Sequence, residues 1–312
     1  MKHLFSNRSI PLLVSVTMAT VTLSTLQAES HCPAGIASVP FRLVNRYQMI
    51  VEVSVNHSGP YNFLLDTGTQ MTMVDPALAA ELHLNTQGSA GVAGVGFLAS
   101  APFAQLDLLE VGSHAVANQK VLVFDFQNSH SVDLHLFRGV LGEDFLGEFD
   151  MLIDNAHKLL CLDDSSAMAA DVKGPHIALV TPARATNGMP ALRSLIIAAR
   201  LSDGTRPVRL KLDSGTNVSF LFYTARYMPL ELLARTSLLG GGLDRAQRPV
   251  STMPLQDLQI GSLEFPRVSF FTYADSPEGL SRTSAYDGLL TLGIFRRVFI
   301  CHAHHFAVFE PW

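Results

Sequence analysis

Two aspartates stand where a carboxylate can do chemistry. Asp66 follows the run Phe63-Leu-Leu and leads into Thr67-Gly-Thr69, and Asp213 follows Leu210-Lys-Leu and leads into Ser214-Gly-Thr216. In both, a mostly apolar, strand-like stretch runs straight into a turn. One Asp-Thr-Gly carries little weight, since strands often close in such turns for conformational reasons alone. A second occurrence carries more, although duplication copies a structural turn as readily as a reactive one. Two carboxyls held roughly 3 Å apart cannot both ionise, so such a pair holds a single proton and titrates as a unit. The ionised member can take a proton from water while the protonated member polarises an amide carbonyl. That is general acid–base hydrolysis with neither a covalent intermediate nor a metal.

The flanking residues suit this chemistry. Gly68 and Gly215 allow a sharp turn that brings amides close to the carboxylates. Thr67 and Ser214 can brace the two loops against each other by hydroxyl hydrogen bonds. Thr69 and Thr216 can donate to the outer carboxylate oxygens. Lys211 is two residues before Asp213 and shares its face on a strand; unless it points to solvent, its ammonium is expected to lower the carboxylate pKa.

The elements that must position these residues come from a chain that reads twice. Besides the aspartate motifs, Leu108-Leu-Glu-Val-Gly112 corresponds to Asp257-Leu-Gln-Ile-Gly261, and Gly139-Val-Leu-Gly142 to Leu290-Thr-Leu-Gly293. The anchors keep their order and lie about 150 residues apart, which indicates duplication of one unit and not a solenoid of short repeats. Each copy is β-rich. Met49 to Val55 alternates and ends at the turn signal Asn56-His-Ser-Gly-Pro60, and Leu195 to Leu201 repeats that role before Ser202-Asp-Gly204. Further strands are expected at Lys120–Phe124 and Arg267–Phe271, with short helices at Pro76–Leu82 and Leu230–Arg235.

The stretch from Asn56 to Thr69, together with Val140-Leu-Gly142 and the strand Asp150 to Asp154, resembles the pepsin and retropepsin superfamily of aspartic peptidases. The likeness is strongest to bacterial retropepsin-like domains. Tyr286-Asp-Gly-Leu-Leu-Thr-Leu-Gly293 is the matching element of the second copy. The resemblance spans nearly all of residues 40–311 and implies a mainly β, two-lobed acid-protease-type barrel with a few short helices. Its single cleft would carry Asp66 and Asp213 as the catalytic dyad, with Thr67, Gly68, Thr69, Ser214, Gly215 and Thr216 supporting them. It also implies a substrate-binding flap at Gly88-Ser-Ala-Gly-Val-Ala-Gly-Val-Gly96, including Gly91, Gly94 and Gly96. That segment lacks the tyrosine of pepsin flaps and is closer to a glycine-rich retropepsin flap. Gly240-Gly-Gly242 takes the comparable place in the second copy. Lys211 departs from the apolar residue usual in the superfamily. The partner implied is a peptide or protein substrate held as an added strand, with no cofactor and no metal, in a monomer. Two rival readings stay open: a binding module of the same fold without turnover, and a homodimer that pairs its Asp66 residues.

Composition bounds the rest. The chain has 312 residues, 48% hydrophobic and 16% charged, with net charge -5, which is globular and gives no electrostatic footprint for nucleic acid. Residues 1–30 have Lys2 and Arg8 before the uncharged, mostly apolar Ile10 to Leu26, then small Ala28 and Ser30, the layout of a secretory signal peptide. The expected organisation is a signal at 1–30, an N-terminal lobe at 31–172, a connection at 173–190 and a C-terminal lobe at 191–312. The expected location is periplasmic or secreted, with no membrane role beyond the export signal. In an oxidising compartment Cys32, Cys161 and Cys301 allow one disulfide and leave one thiol, with the pairing open. Cys301-His302-Ala-His304-His305 offers two same-face histidines if it is a strand, but no third ligand. It is expected to be an exposed or edge-strand histidine group. There is no Gly-x-Ser-x-Gly elbow, phosphate loop or dinucleotide fingerprint.

Overall fold

Alternating apolar residues and turn formers build the described part of this chain mainly from strands. The computed structural model describes residues 32–94, 97–125, 136–180, 195–204, 206–222, 233–241, 247–273 and 285–312. The first half supplies β1 (Ser38–Pro40), β2 (Arg42–Val44), β3 (Gln48–Val55), β4 (Ser58–Leu65), β5 (Met73–Val74), α1 (Pro76–Glu81), β6 (Thr86–Gly94), β7 (Phe97–Val111), β8 (His114–Val123), β9 (Gly139–Leu141), α2 (Glu143–Leu146), β10 (Asp150–Asp154), β11 (Leu159–Asp163) and α3 (Ala167–Asp171). Then β12 (Ile177–Ala178) falls within the expected connection. It leads to β13 (Ile196–Leu201), β14 (Val208–Asp213), β15 (Ser219–Leu221), β16 (Ala234–Gly241), β17 (Gln247–Thr252), β18 (Gln256–Ile260), β19 (Leu263–Val268), β20 (Phe270–Thr272), β21 (Gly288–Thr291), β22 (Arg297–Cys301) and β23 (Phe306–Glu310). Residues 1–30, assigned to a signal peptide, lie outside the described residues.

Among the described residues the strands form three sheets. The first half contributes the order β2-β3-β4-β9-β5-β8-β7-β6, and the second contributes β16-β17-β20-β15-β21-β14-β13-β18-β19. Read from β3 and from β13, the two orders match, and so do the directions. β4 and β9 are parallel, as are β14 and β21; β5 is parallel to β8 and antiparallel to β9, as β15 is to β20 and β21. The hairpin turns at Gly112 and Gly261 both take φ of +59°, a conformation that favours glycine, so this repeat anchor marks equivalent bends. The third sheet, β1-β11-β10-β22-β23-β12, interleaves strands of both halves.

Two sequence expectations are corrected. Gly139 lies opposite Phe63, while the residue opposite Leu210 is Gly288, so Gly288 and not Leu290 is the counterpart of Gly139. A two-residue slip keeps every side chain on its face and is therefore invisible in the apolar pattern. The small residue decides the register. A Cβ on Gly139 would lie 2.2 Å from the Phe63 ring, and one on Gly288 would lie 2.1 Å from the Phe220 carbonyl oxygen. The helix expected at Leu230–Arg235 is not formed where it is described: Ala234 and Arg235 belong to β16 and pair with Thr252 and Ser251 of β17. Tertiary pairing overrides a short local helical preference; residues 230–232 lie outside the described residues.

Local rules explain the segments around the first motif. Asn56 and His57 have φ of 48° and 63°, as a two-residue hairpin between β3 and β4 requires. Helix α1 begins with Asp75 as its cap, accepting from the Leu78 amide, and Pro76 in its first turn. One apolar core runs through both halves, from Phe63, Leu141 and Phe145 to Leu212, Leu290 and Phe295. Cys32 and Cys161 form the disulfide, tying the start of the described chain to β11. Cys301 stays a buried thiol that donates to Asp150 Oδ2 over 3.3 Å, and burial pushes its pKa up to about 11.

Candidate active site

Strands β4 and β14 deliver the two aspartates to one place. The Asp66 amide donates to the Leu141 carbonyl of β9 (3.0 Å), and Asp213 lies opposite Thr291 of β21. Behind them the loops are locked reciprocally. Thr67 Oγ1 donates to the Leu212 carbonyl (3.1 Å) and accepts from the Ser214 amide (3.1 Å). Ser214 Oγ donates to the Leu65 carbonyl (2.7 Å) and accepts from the Thr67 amide (3.1 Å). Both side chains are fully buried. Each hydroxyl uses one donor and one acceptor, so no polar atom of this lock is left unmet.

In front of the lock the carboxyls interdigitate with the opposite glycines. A Cβ on Gly68 would lie 2.4 Å from Asp213 Cγ, and one on Gly215 would lie 2.3 Å from Asp66 Cγ. Only glycine leaves room for each carboxyl. Gly68→Ala is expected to displace the Asp213 carboxyl and cut any turnover that the pair supports by about 100-fold or more, because ångström-scale misplacement of reacting groups costs that much. Turnover measured beside a thermal melt checks it; alanine with unchanged turnover would refute the close approach.

The Gly68 amide donates to Asp66 Oδ1 (2.7 Å), and the Gly215 and Thr216 amides donate to Asp213 Oδ1 (2.9 and 3.0 Å). Asp213 is 8% exposed, while Asp66 keeps partial contact with solvent. The two carboxyls lie close enough for the charge of Asp213 to act on Asp66. Asp66 is held well above the usual carboxylate range, first by burial and next by the charge of Asp213, against the opposing pull of Lys211 and the Gly68 amide. Asp213 is raised by burial, opposed by Lys211 and by its two amide donors. Both carboxyls are raised together, so the pair holds one proton between them and titrates as a unit.

The threonines that follow act differently from expectation. Thr69 Oγ1 donates to the Met71 carbonyl (3.4 Å) and Thr216 Oγ1 to the Val218 carbonyl (2.9 Å), not to the carboxylates. A hydroxyl this close to its own chain finds the carbonyl two residues on more easily than a group across the turn. Thr216 reaches Asp213 through its amide instead.

A further hydroxyl pair went unread in the sequence. Thr72 Oγ1 accepts from the Gly142 amide (3.1 Å), and Ser219 Oγ accepts from the Thr291 amide (3.4 Å). The signal was present: a Thr or Ser stands six residues after each aspartate.

Gly91 and Gly94 lie in the hairpin of β6 and β7, opposite Ser100 and Phe97; Gly96 lies outside the described residues. Val92 and Ala101 of this hairpin are buried with Leu64 and Val140, so the hairpin shares an apolar cluster with the strand that leads into Asp66. The hairpin of β16 and β17 ends the other sheet, with Gly240 and Gly241 paired to Arg248 and Gln247; Gly242 lies outside the described residues.

Of the exposed or edge-strand histidine group expected, His304 and His305 are exposed, and they lie in a turn and not on a strand. Residues 302–305 form the turn between β22 and β23. The His302 side chain is buried, with Nδ1 facing the Phe149 carbonyl (2.6 Å) and Nε2 facing Glu143 (3.1 Å). Burial opposes its charge, but Glu143 and the Phe149 carbonyl hold its pKa above the ordinary value. It ties α2 to the second half.

Residues 51–145 match the model of a family described as aspartyl protease. Among solved structures, an aspartic proteinase from Irpex lacteus aligns over 88% of this chain and 97% of its own, with a TM-score of 0.53 and 13% identity. At that identity the likeness establishes the fold. The comparison with curated proteins found no match.

Proposed function

We propose that the chain is an aspartic peptidase, an endopeptidase whose dyad is Asp66 and Asp213. The observation that carries this reading is the close approach of each carboxyl to the glycine of the opposite aspartate loop, at the meeting point of the two halves. A water molecule between them gives a proton to the ionised carboxyl and attacks the scissile carbonyl carbon. The protonated carboxyl gives its proton to the carbonyl oxygen, forming a neutral tetrahedral diol. The newly protonated carboxyl then passes its proton to the leaving nitrogen while the other recovers one from the diol, and the carbon–nitrogen bond breaks. The chemistry uses protein carboxyls and water alone.

The substrate is an extended peptide. Strands β6 and β16 end their sheets, and such an edge can pair with an added strand. One chain provides both carboxyls, which supports action as a monomer. The Cys32–Cys161 disulfide supports an exported, periplasmic or secreted protein, as the N-terminal 30 residues suggest.

The test is incubation of the purified protein with a peptide library between pH 3 and 8, reading new termini by mass spectrometry, beside binding of a statine-type mimic of the diol. Cleavage blocked by the mimic supports the reading. Peptide binding without cleavage at any pH would make the chain a binding module, and neither binding nor cleavage would end the proposal.

A further inference from the structure

The two halves hold their aspartate loops in unequal ways. On one side Gln48 Nε2 donates to the Gly215 carbonyl over 2.8 Å. On the other, Lys211 Nζ donates to the Gly68 carbonyl. Lys211 is 6% exposed and its ammonium lies 5.4 Å from the centre of the Tyr286 ring. The pseudo-equivalent position in the first half is Leu64, opposite Val140 of β9 as Lys211 is opposite Leu289 of β21. Leu64 is buried among apolar side chains. Among the described residues, the second half therefore places a cation at this position and the first half does not.

A buried ammonium is costly unless compensated. The charged and titratable groups facing this one are Asp66 from the opposite loop, Asp213 on its own strand and Tyr286 before β21. Arg209, also on β14, is engaged with Asp287 (3.4 Å). β13 offers the uncharged Ile196 opposite it, and β3 the uncharged Gln48 nearby. With one proton on the dyad, the ammonium and the remaining carboxylate balance. With two protons, the site carries an uncompensated positive charge.

We infer that Lys211 is a positioning residue of the dyad: its ammonium ties the Asp66 loop to the second half and, as a fixed positive charge beside the pair, moves the pH range of hydrolysis toward acid. The physical basis is that the cation disfavours the doubly protonated pair and favours each loss of a proton, and it acts downward on both Asp66 and Asp213. In its activity arm this inference rests on the peptidase reading.

The experiment compares wild type with Lys211→Met, Lys211→Gln and Lys211→Arg. Removing the charge is expected to lower the ratio of kcat on the acid limb to kcat on the alkaline limb by about tenfold or more. Lys211→Arg should keep the wild-type ratio even at a lower absolute rate. Glutamine preserves a donor for the Gly68 carbonyl and serves if the methionine variant fails to fold. A uniform loss of rate with an unchanged pH profile overturns the inference and leaves the peptidase reading intact. A second arm needs no turnover: carbon-13 titration of the Asp66 and Asp213 carboxyls, assigned with Asp66→Asn and Asp213→Asn. Displacement of both titrations to higher pH in Lys211→Met upholds the inference even if no variant cleaves peptide. In that case it is the peptidase reading that falls.

Discussion

Asp66→Asn and Asp213→Asn each lower peptide hydrolysis by about 10²–10⁴-fold, the range of general acid–base catalysis, while peptide binding persists. Either substitution removes one of the two proton-exchanging groups and leaves the Thr67–Ser214 lock untouched. The same change at Asp66 also raises stability at neutral pH. Burial and the charge of Asp213 raise the pKa of the folded carboxyl above its ordinary value. Between those two values the folded chain binds more protons than the unfolded chain, so stability falls as pH rises through that window. Asparagine has no charge to penalise, so Asp66→Asn melts above wild type at pH 7 and loses that advantage near about pH 3, where the aspartate is protonated in both states. Thermal melts across pH beside initial rates of peptide cleavage check both parts. Undiminished cleavage by Asp213→Asn would mean that active centres are built by pairing two chains, and a parallel pH dependence of melting would mean that Asp66 is not penalised by burial.

Cys32→Ser with Cys161→Ser costs about 4–5 kcal/mol, from the conformational freedom restored to the unfolded chain when a closure spanning 129 residues is opened. Few single features of a domain carry as much, since total stability is roughly 5–15 kcal/mol. Denaturant titration with and without reductant gives the difference directly. Cys301 serves as an internal control. Its burial and raised pKa keep the thiol unreactive, so one thiol becomes alkylatable only on unfolding. A loss below about 1 kcal/mol would show that the unfolded chain is already restricted in this region.

Legibility in the sequence followed the range of the forces involved. The hairpin at Asn56 and His57, the turn at Gly112 and the cap and proline of α1 are local, and the residue types that permit them are visible one at a time. The doubling was legible because the two aspartate motifs recur whole. The register of β21 was not, because a slip of two residues leaves the apolar face unchanged. What settles it is the collision of Gly139 with Phe63 and of Gly288 with Phe220. The helix expected at Leu230–Arg235 gave way to pairing with β17 for the same reason, a partner distant in sequence. The hydroxyls of Thr69 and Thr216 were misread because the sequence does not say which nearby carbonyl they reach first. Which cysteines pair, and that Lys211 turns inward to the Gly68 carbonyl, depend on contacts between halves.

The sheet that interleaves β10 and β11 with β22 and β23 has a consequence for the order of events during synthesis. Ribosomes release a chain from its beginning, and β10 has no neighbour on one side until β22, more than a hundred positions later, has emerged. Docking of the two halves must wait for that late strand, since contacts between distant segments form only after long loops close. A nascent chain thus carries both aspartates before the sheet shared by the two halves can be completed.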